Sequence, residues 1–262
     1  MKQAFLSIIL FTLLFTSCKK DDSSLYNANV KADLSVEFDN IAGSSDLQLN
    51  TGSYSNSLGE TFTVSKLKYY VSNFVFTKTD GSVFVIPQDS SYFLIDESDG
   101  TEHAPLLHIP EGEYKAVSFM VGVDSLRSAK DITMRTGVLD PTADGGDMYW
   151  GWNSGYIFFK MEGTSAASPN GMFMYHIGGF GGYSSSTINN IKTISLDLTA
   201  RGMPQVKAGK ETNIHLMVDI LKLFDGSTKL SIAQNPAVMF SDYSVNIANN
   251  YTVMFRHDHT EN

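Results

Sequence analysis

The sequence predicts an all-β chain, an antiparallel β-sandwich or irregular barrel with long loops. Apolar and polar side chains alternate at period two across most of it. Gly, Asn, Asp and Ser gather between the alternating runs, and Asp80-Gly81 and Asp225-Gly226 are hairpin signals. Helical spacing is nearly absent, and Asp124 to Arg135 is the best candidate for a short helix.

Taken in order, Met1-Lys2-Gln3 is a short basic start, and Ala4 to Thr16 is an apolar run too short for a membrane helix of ~20 residues. Residues 1–17 read as a lipoprotein signal peptide. Ser17-Cys18 directly after the apolar run reads as a lipobox, in which cleavage before Cys18 leaves its thiol free to take a thioether-linked lipid. Cys18 is the only cysteine, so it has no partner for a disulfide within the chain. Residues 18–30 then form a lipidated, flexible tether, and Lys19-Lys20-Asp21-Asp22-Ser23-Ser24 has no apolar face to pack. A charged run there resembles the export signal of surface lipoproteins in some Gram-negative bacteria. The expectation is an outer-membrane lipoprotein, periplasmic or cell-surface, whose lipid on Cys18 makes the membrane its partner.

The body, residues 31–262, is long enough to bury a core as one β domain. Leu34, Val36 and Phe38 alternate with Asp33, Ser35 and Glu37. A polar loop from Gly43 to Glu60 precedes a long strand, Thr61 to Thr77. Val83 to Ile86, Ser91 to Asp96 and Glu113 to Val123 read as further strands, with irregular chain from Glu97 to Pro110 and a Pro, Asp and Gly loop from Asp140 to Gly146. Asp147 to Gly163 and Met172 to Phe180 follow, then Ile191 to Leu198, Thr212 to Phe224 and Tyr251 to His259.

The chain carries 28 acidic against 19 basic side chains, a net charge of −9, which argues against a nucleic-acid partner and tolerates cations. There is no G-x-S-x-G elbow, no H-E-x-x-H and no P-loop, so the expectation is a binding protein and not an enzyme. Asp140, Asp144 and Asp147 do not match the spacing of an EF-hand loop and read as an acidic turn. What remains are imidazole, thioether and indole groups. In an extended strand Trp150 and Trp152, the only two tryptophans, point to one face. Met172, Met174 and His176 share a face of the next strand. Near the C-terminus Tyr251, Val253 and Phe255 share a face with His257 and His259, whose imidazoles could approach one ion. Imidazole and thioether donors favour copper. His103, His108 and His215 are scattered along the sequence and receive no role.

Met148-Tyr149-Trp150-Gly151-Trp152-Asn153-Ser154-Gly155-Tyr156-Ile157-Phe158, followed by Tyr175-His176-Ile177-Gly178-Gly179, resembles the MbnP-like copper-binding proteins. So do Phe62 to Asn73 and Tyr114 to Val123. The resemblance runs from about Leu34 to the end. It implies a secreted or surface protein that binds copper for scavenging, storage or delivery. It also implies histidine ligands with His176 foremost, and a tryptophan, Trp150 or Trp152, oxidised to kynurenine by a separate haem enzyme. Relatives carry a histidine after the first strand in an F-x-H arrangement. Here Phe38-Asp39-Asn40 puts Asn40 there, so His257 or His259 would have to substitute. A second expectation needs no metal: a β-sandwich adhesion or glycan-binding lipoprotein, with Trp150, Trp152, Tyr149 and Tyr156 as a stacking platform.

Overall fold

The computed structural model describes residues 25–101, 103–142, 146–153 and 155–262. The signal peptide, Cys18 and the charged run through Ser24 lie outside the described residues, as does Asp144. Period-two alternation becomes strand. Leu34, Val36 and Phe38 are fully shielded from solvent, while Asp33, Ser35 and Glu37 between them are not.

The chain is mostly strand, and the sheets curl into a half-barrel. The first eight strands are β1 (Lys31–Ala42), β2 (Ser45–Asp46), β3 (Tyr54–Ser55), β4 (Thr61–Lys78), β5 (Val83–Val85), β6 (Tyr92–Asp96), β7 (Leu106–Pro110) and β8 (Gly112–Val121). Then come β9 (Tyr149–Trp150), β10 (Gly155–Ser165), β11 (Met172–Gly178), β12 (Lys192–Asp197), β13 (Gln205–Val206), β14 (Thr212–Asp219), β15 (Ala237–Val238) and β16 (Phe255–Glu261). The smaller sheet is ordered β16-β14-β1-β2, with β7 also on β1. The larger is ordered β12-β8-β4-β10-β11-β15, with β3, β5, β6, β9 and β13 as short additions.

The chain is all-β and most strand pairs are antiparallel, as expected; the exceptions are β1 with β14 and β11 with β15, which pair in parallel. Parallel neighbours require a crossover between them. Most of the larger sheet lies between β1 and β14 in sequence, so no local signal announces the pairing.

Neighbouring residues of the large sheet feed two different cores. Tyr69 and Phe159 join Phe38, Phe119, Tyr251 and Phe255 between the sheets. Tyr70 and Phe158 turn the other way, to a smaller cluster with Val123, Leu139, Met148, Trp150 and Tyr156. In the main core Phe119 sits edge-on to Phe38 and to Phe255, with ring centroids 5.4 Å apart in each pair. Each such contact adds about 0.5–1.5 kcal/mol beyond its buried area.

The helices are few and short. α1 (Ser125–Ser128) falls within the Asp124 to Arg135 segment and is capped by Asp124, whose carboxylate accepts from the Arg127 amide at 3.0 Å. α2 (Leu221–Phe224) ends the strand expected to run from Thr212 to Phe224. α3 (Ser244–Tyr251) occupies the approach to β16, which therefore begins at Phe255 and not Tyr251. The helix exists because Ile247, Ala248 and Tyr251, at helical spacing, reach the main core together, overriding the weak helix preference of its Asn and Tyr residues. Among the described residues no helix is long and apolar enough to cross a membrane.

Candidate functional site

The tryptophan segment is held by an ionic clamp. Asp147 reaches the Lys160 ammonium at 2.6 Å and that of Lys66 at 2.9 Å, and Lys68 lies 3.7 Å away. Burial works to raise the Asp147 pKa, but the hydrogen bonds from Lys160 and Lys66 outweigh it and bring it down to about 2. Only Tyr149 and Trp150 are extended; the chain turns at Gly151. The two indoles therefore do not share a strand face as an extended run would place them. Trp150 is buried, Trp152 is 65% exposed, and their centroids lie 5.3 Å apart at a 42° tilt. Trp150 lies over Gly178 of β11, where an added Cβ would sit 2.8 Å from the indole and 2.2 Å from the Tyr156 carbonyl oxygen. The Trp150 indole N–H is buried without a hydrogen-bond partner.

His176 is on the same strand, two residues before Gly178, a separation of about 7 Å along a strand. Its direct neighbour across the sheet is Lys160, whose neighbour in turn is Lys68. His176 Nε2 lies 2.7 Å from Glu162 Oε1. Burial lowers the imidazole pKa; the bond to Glu162 opposes this and the Lys160 charge reinforces it. Trp150 and the imidazole thus meet the same strand, but the imidazole's partner is a carboxylate within a lysine ladder.

The C-terminal histidines are on the other sheet, and they part company. His215 of β14 pairs with His259 and the next residue, Leu216, with His257, leaving Asp258 as an extra residue in a β-bulge. The bulge breaks the alternation. His257 turns inward, is buried, and meets Thr260 Oγ1 at 2.9 Å, while Asp258 and His259 both face outward. The expectation that His257 and His259 share a face is corrected accordingly. His259 instead meets His215, with ring centroids 4.7 Å apart.

One donor atom from each of His215, Asp258 and His259 lies within 4.8 Å of the other two, and among the described residues no such group includes His176 or His257. Glu37 of β1 is the direct neighbour of His215 on its other side, so Glu37, His215 and His259 form a row across three strands. His215 Nε2 is 3.8 Å from Glu37 and from Asp39. Burial raises the Asp39 pKa, and the His215 charge works against that. Sequence reading missed His215. The available signal was its parity: Asn213, His215 and Met217 alternate with fully buried Ile214, Leu216 and Val218.

Asn40 is buried in a network of its own. Its amide NH2 donates to Glu97 Oε2 at 2.9 Å, and its carbonyl oxygen accepts from the Tyr69 hydroxyl at 2.9 Å.

The profile of the MbnP family matches residues 31–240. This chain belongs to the MbnP family. MbnP from Methylosinus trichosporium shares its fold, with a TM-score of 0.55 over 81% of this chain and 82% of that one, at 16% identity. No curated protein matches. The MbnP segment takes in Trp150, Trp152, His176 and His215, whereas Asp258 and His259 lie beyond its last matched residue.

Proposed function

We propose that this MbnP-family chain is a copper-binding lipoprotein, anchored through Cys18 at the outer membrane and acting in scavenging, storage or delivery and not in catalysis. One observation carries the reading: the MbnP domain over residues 31–240. Copper would be held by neutral imidazole with carboxylate support on an acidic protein.

The donors around the tryptophans do not fit that ion as they stand. His176 Nε2 is engaged by Glu162, and the Lys160 ammonium stands 4.0 Å from the same carboxylate oxygen. A cation there would meet two lysines in the row before a second imidazole. Asn40 occupies the F-x-H position with both ends of its amide satisfied. Of the two indoles that the resemblance nominates for oxidation by a haem enzyme, solvent reaches Trp152 and not Trp150.

The glycan-binding alternative asks for coplanar exposed rings. A 42° tilt with one indole buried does not provide such a platform. The deciding test mixes the lipid-free mature chain with equimolar Cu(II) and measures metal retained after gel filtration. One ion per chain is the expected result, and no retention would overturn the reading.

A further inference from the structure

We propose that the copper of this chain sits outside the tryptophan region, on the outer face of the small sheet, held as Cu(II) by His215, Asp258 and His259. The inference rests on the copper-binding reading above and relocates its site.

The donors converge because of the bulge. Asp258 Oδ2 lies 3.0 Å from His259 Nδ1 and 3.7 Å from His215 Nδ1. An ion with bonds of about 2.0–2.1 Å spaces its ligand atoms roughly 3–4 Å apart, so these distances need little adjustment. Arg256 Nη1 binds the other oxygen of Asp258 at 3.1 Å and so aims Oδ2 at the imidazoles. His215 Nδ1 is buried and has no hydrogen-bond partner, an orphaned acceptor or donor facing that oxygen. Its Nε2 faces Glu37 and Asp39, the kind of outer carboxylate that orients a ligating imidazole.

The charge balance also favours a cation. Glu37, Asp39, Asp258 and Glu261 surround the two imidazoles. The opposing charges are Arg256 and Arg201, the latter on the Asp258 main-chain carbonyl at 3.5 Å. Two imidazoles and a carboxylate suit several divalent ions, and Cu(II) heads their affinity order. Two of the three ligands, Asp258 and His259, fall outside residues 31–240, the part of the chain that the MbnP family matches.

The test titrates the lipid-free mature chain with Cu(II) against a competing chelator and records the electron paramagnetic resonance spectrum. The variants are His259→Ala, His215→Ala and His176→Ala. The wild type is expected to hold one Cu(II) with the hyperfine signature of two imidazole nitrogens. His259→Ala and His215→Ala should each weaken binding by more than about tenfold, and His176→Ala should leave it unchanged. The His259 side chain is 46% exposed, so its removal leaves the core intact and isolates the ligand. One equivalent bound equally by wild type and His259→Ala would overturn the location while leaving copper binding in place. A wild type that binds no copper would instead remove the function itself.

Discussion

Two rows of side chains, each three strands wide, cross the sheet faces turned away from the main core. On the large sheet the row is Lys68–Lys160–His176; on the small sheet it is Glu37–His215–His259. Each has a histidine on a strand whose opposite face packs into the core. Their neighbours decide what the imidazoles can do. In the first row two ammoniums, with Lys66 beside them, pair with the nearby carboxylates Asp96, Asp147 and Glu162. In the second, carboxylates outnumber guanidiniums and a second imidazole stands alongside. A histidine is a plausible ligand only through the charges around it, and those charges come from strands remote in sequence.

The comparison can be broken from either side. The largest effect should come from Lys160→Met, since Lys160 is buried and removing one partner of a buried ion pair leaves the other uncompensated. A loss of about 3 kcal/mol is expected from the urea midpoint. An unchanged midpoint would mean that the lysine ladder is screened and holds nothing.

Next comes the acid limb of stability. The Asp147 pKa is about 2 in the fold and near 4 in an unfolded chain, so its contribution is complete above pH 4 and lost as the pH falls from 4 to 2. Allowing for screening at its exposed edge, this is on the order of 1–2 kcal/mol. Asp147→Asn should be less stable at neutral pH yet show a flatter melting-temperature curve across that window. A curve parallel to the wild type would assign the acid sensitivity elsewhere.

The smallest effect sharpens the second row. Asp39→Asn removes a carboxylate that faces the back of His215 without touching the proposed ligand atoms, and should weaken Cu(II) binding about tenfold with no change in thermal stability. Equal affinity would show that the outer carboxylates neither orient nor charge the site.

Much of this fold was legible in advance because one-sided burial writes itself into the sequence. The alternation of Leu34, Val36 and Phe38, the long run that became β4, and Asp80-Gly81 between β4 and β5 all follow from period two and turn chemistry. α3 was hidden, because Ser244 to Tyr251 has no capping side chain and Ala248 as its one strong helix former, and folds only against the core. At the site, the tryptophan and His176 strands could be recognised as a pair of neighbours, since a short loop joins β10 to β11. The meeting of His215 with His259 could not. It requires the β14–β16 register and one unpaired residue, and without that extra residue His257 would stand opposite Met217 on the outer face.

The parallel junction of β1 with β14 bears on timing. Ser35 and Asn213 hydrogen-bond across it at a separation of 178 residues, so this pairing closes a very long loop and belongs among the slow, late events of folding. Until it closes, Glu37 and Asp39 are strangers to the imidazoles they flank. The proposed ligands His215, Asp258 and His259 need only the β14–β16 pairing to meet, so the order of closure would leave a donor set first formed without its outer carboxylates and completed only when that loop shuts.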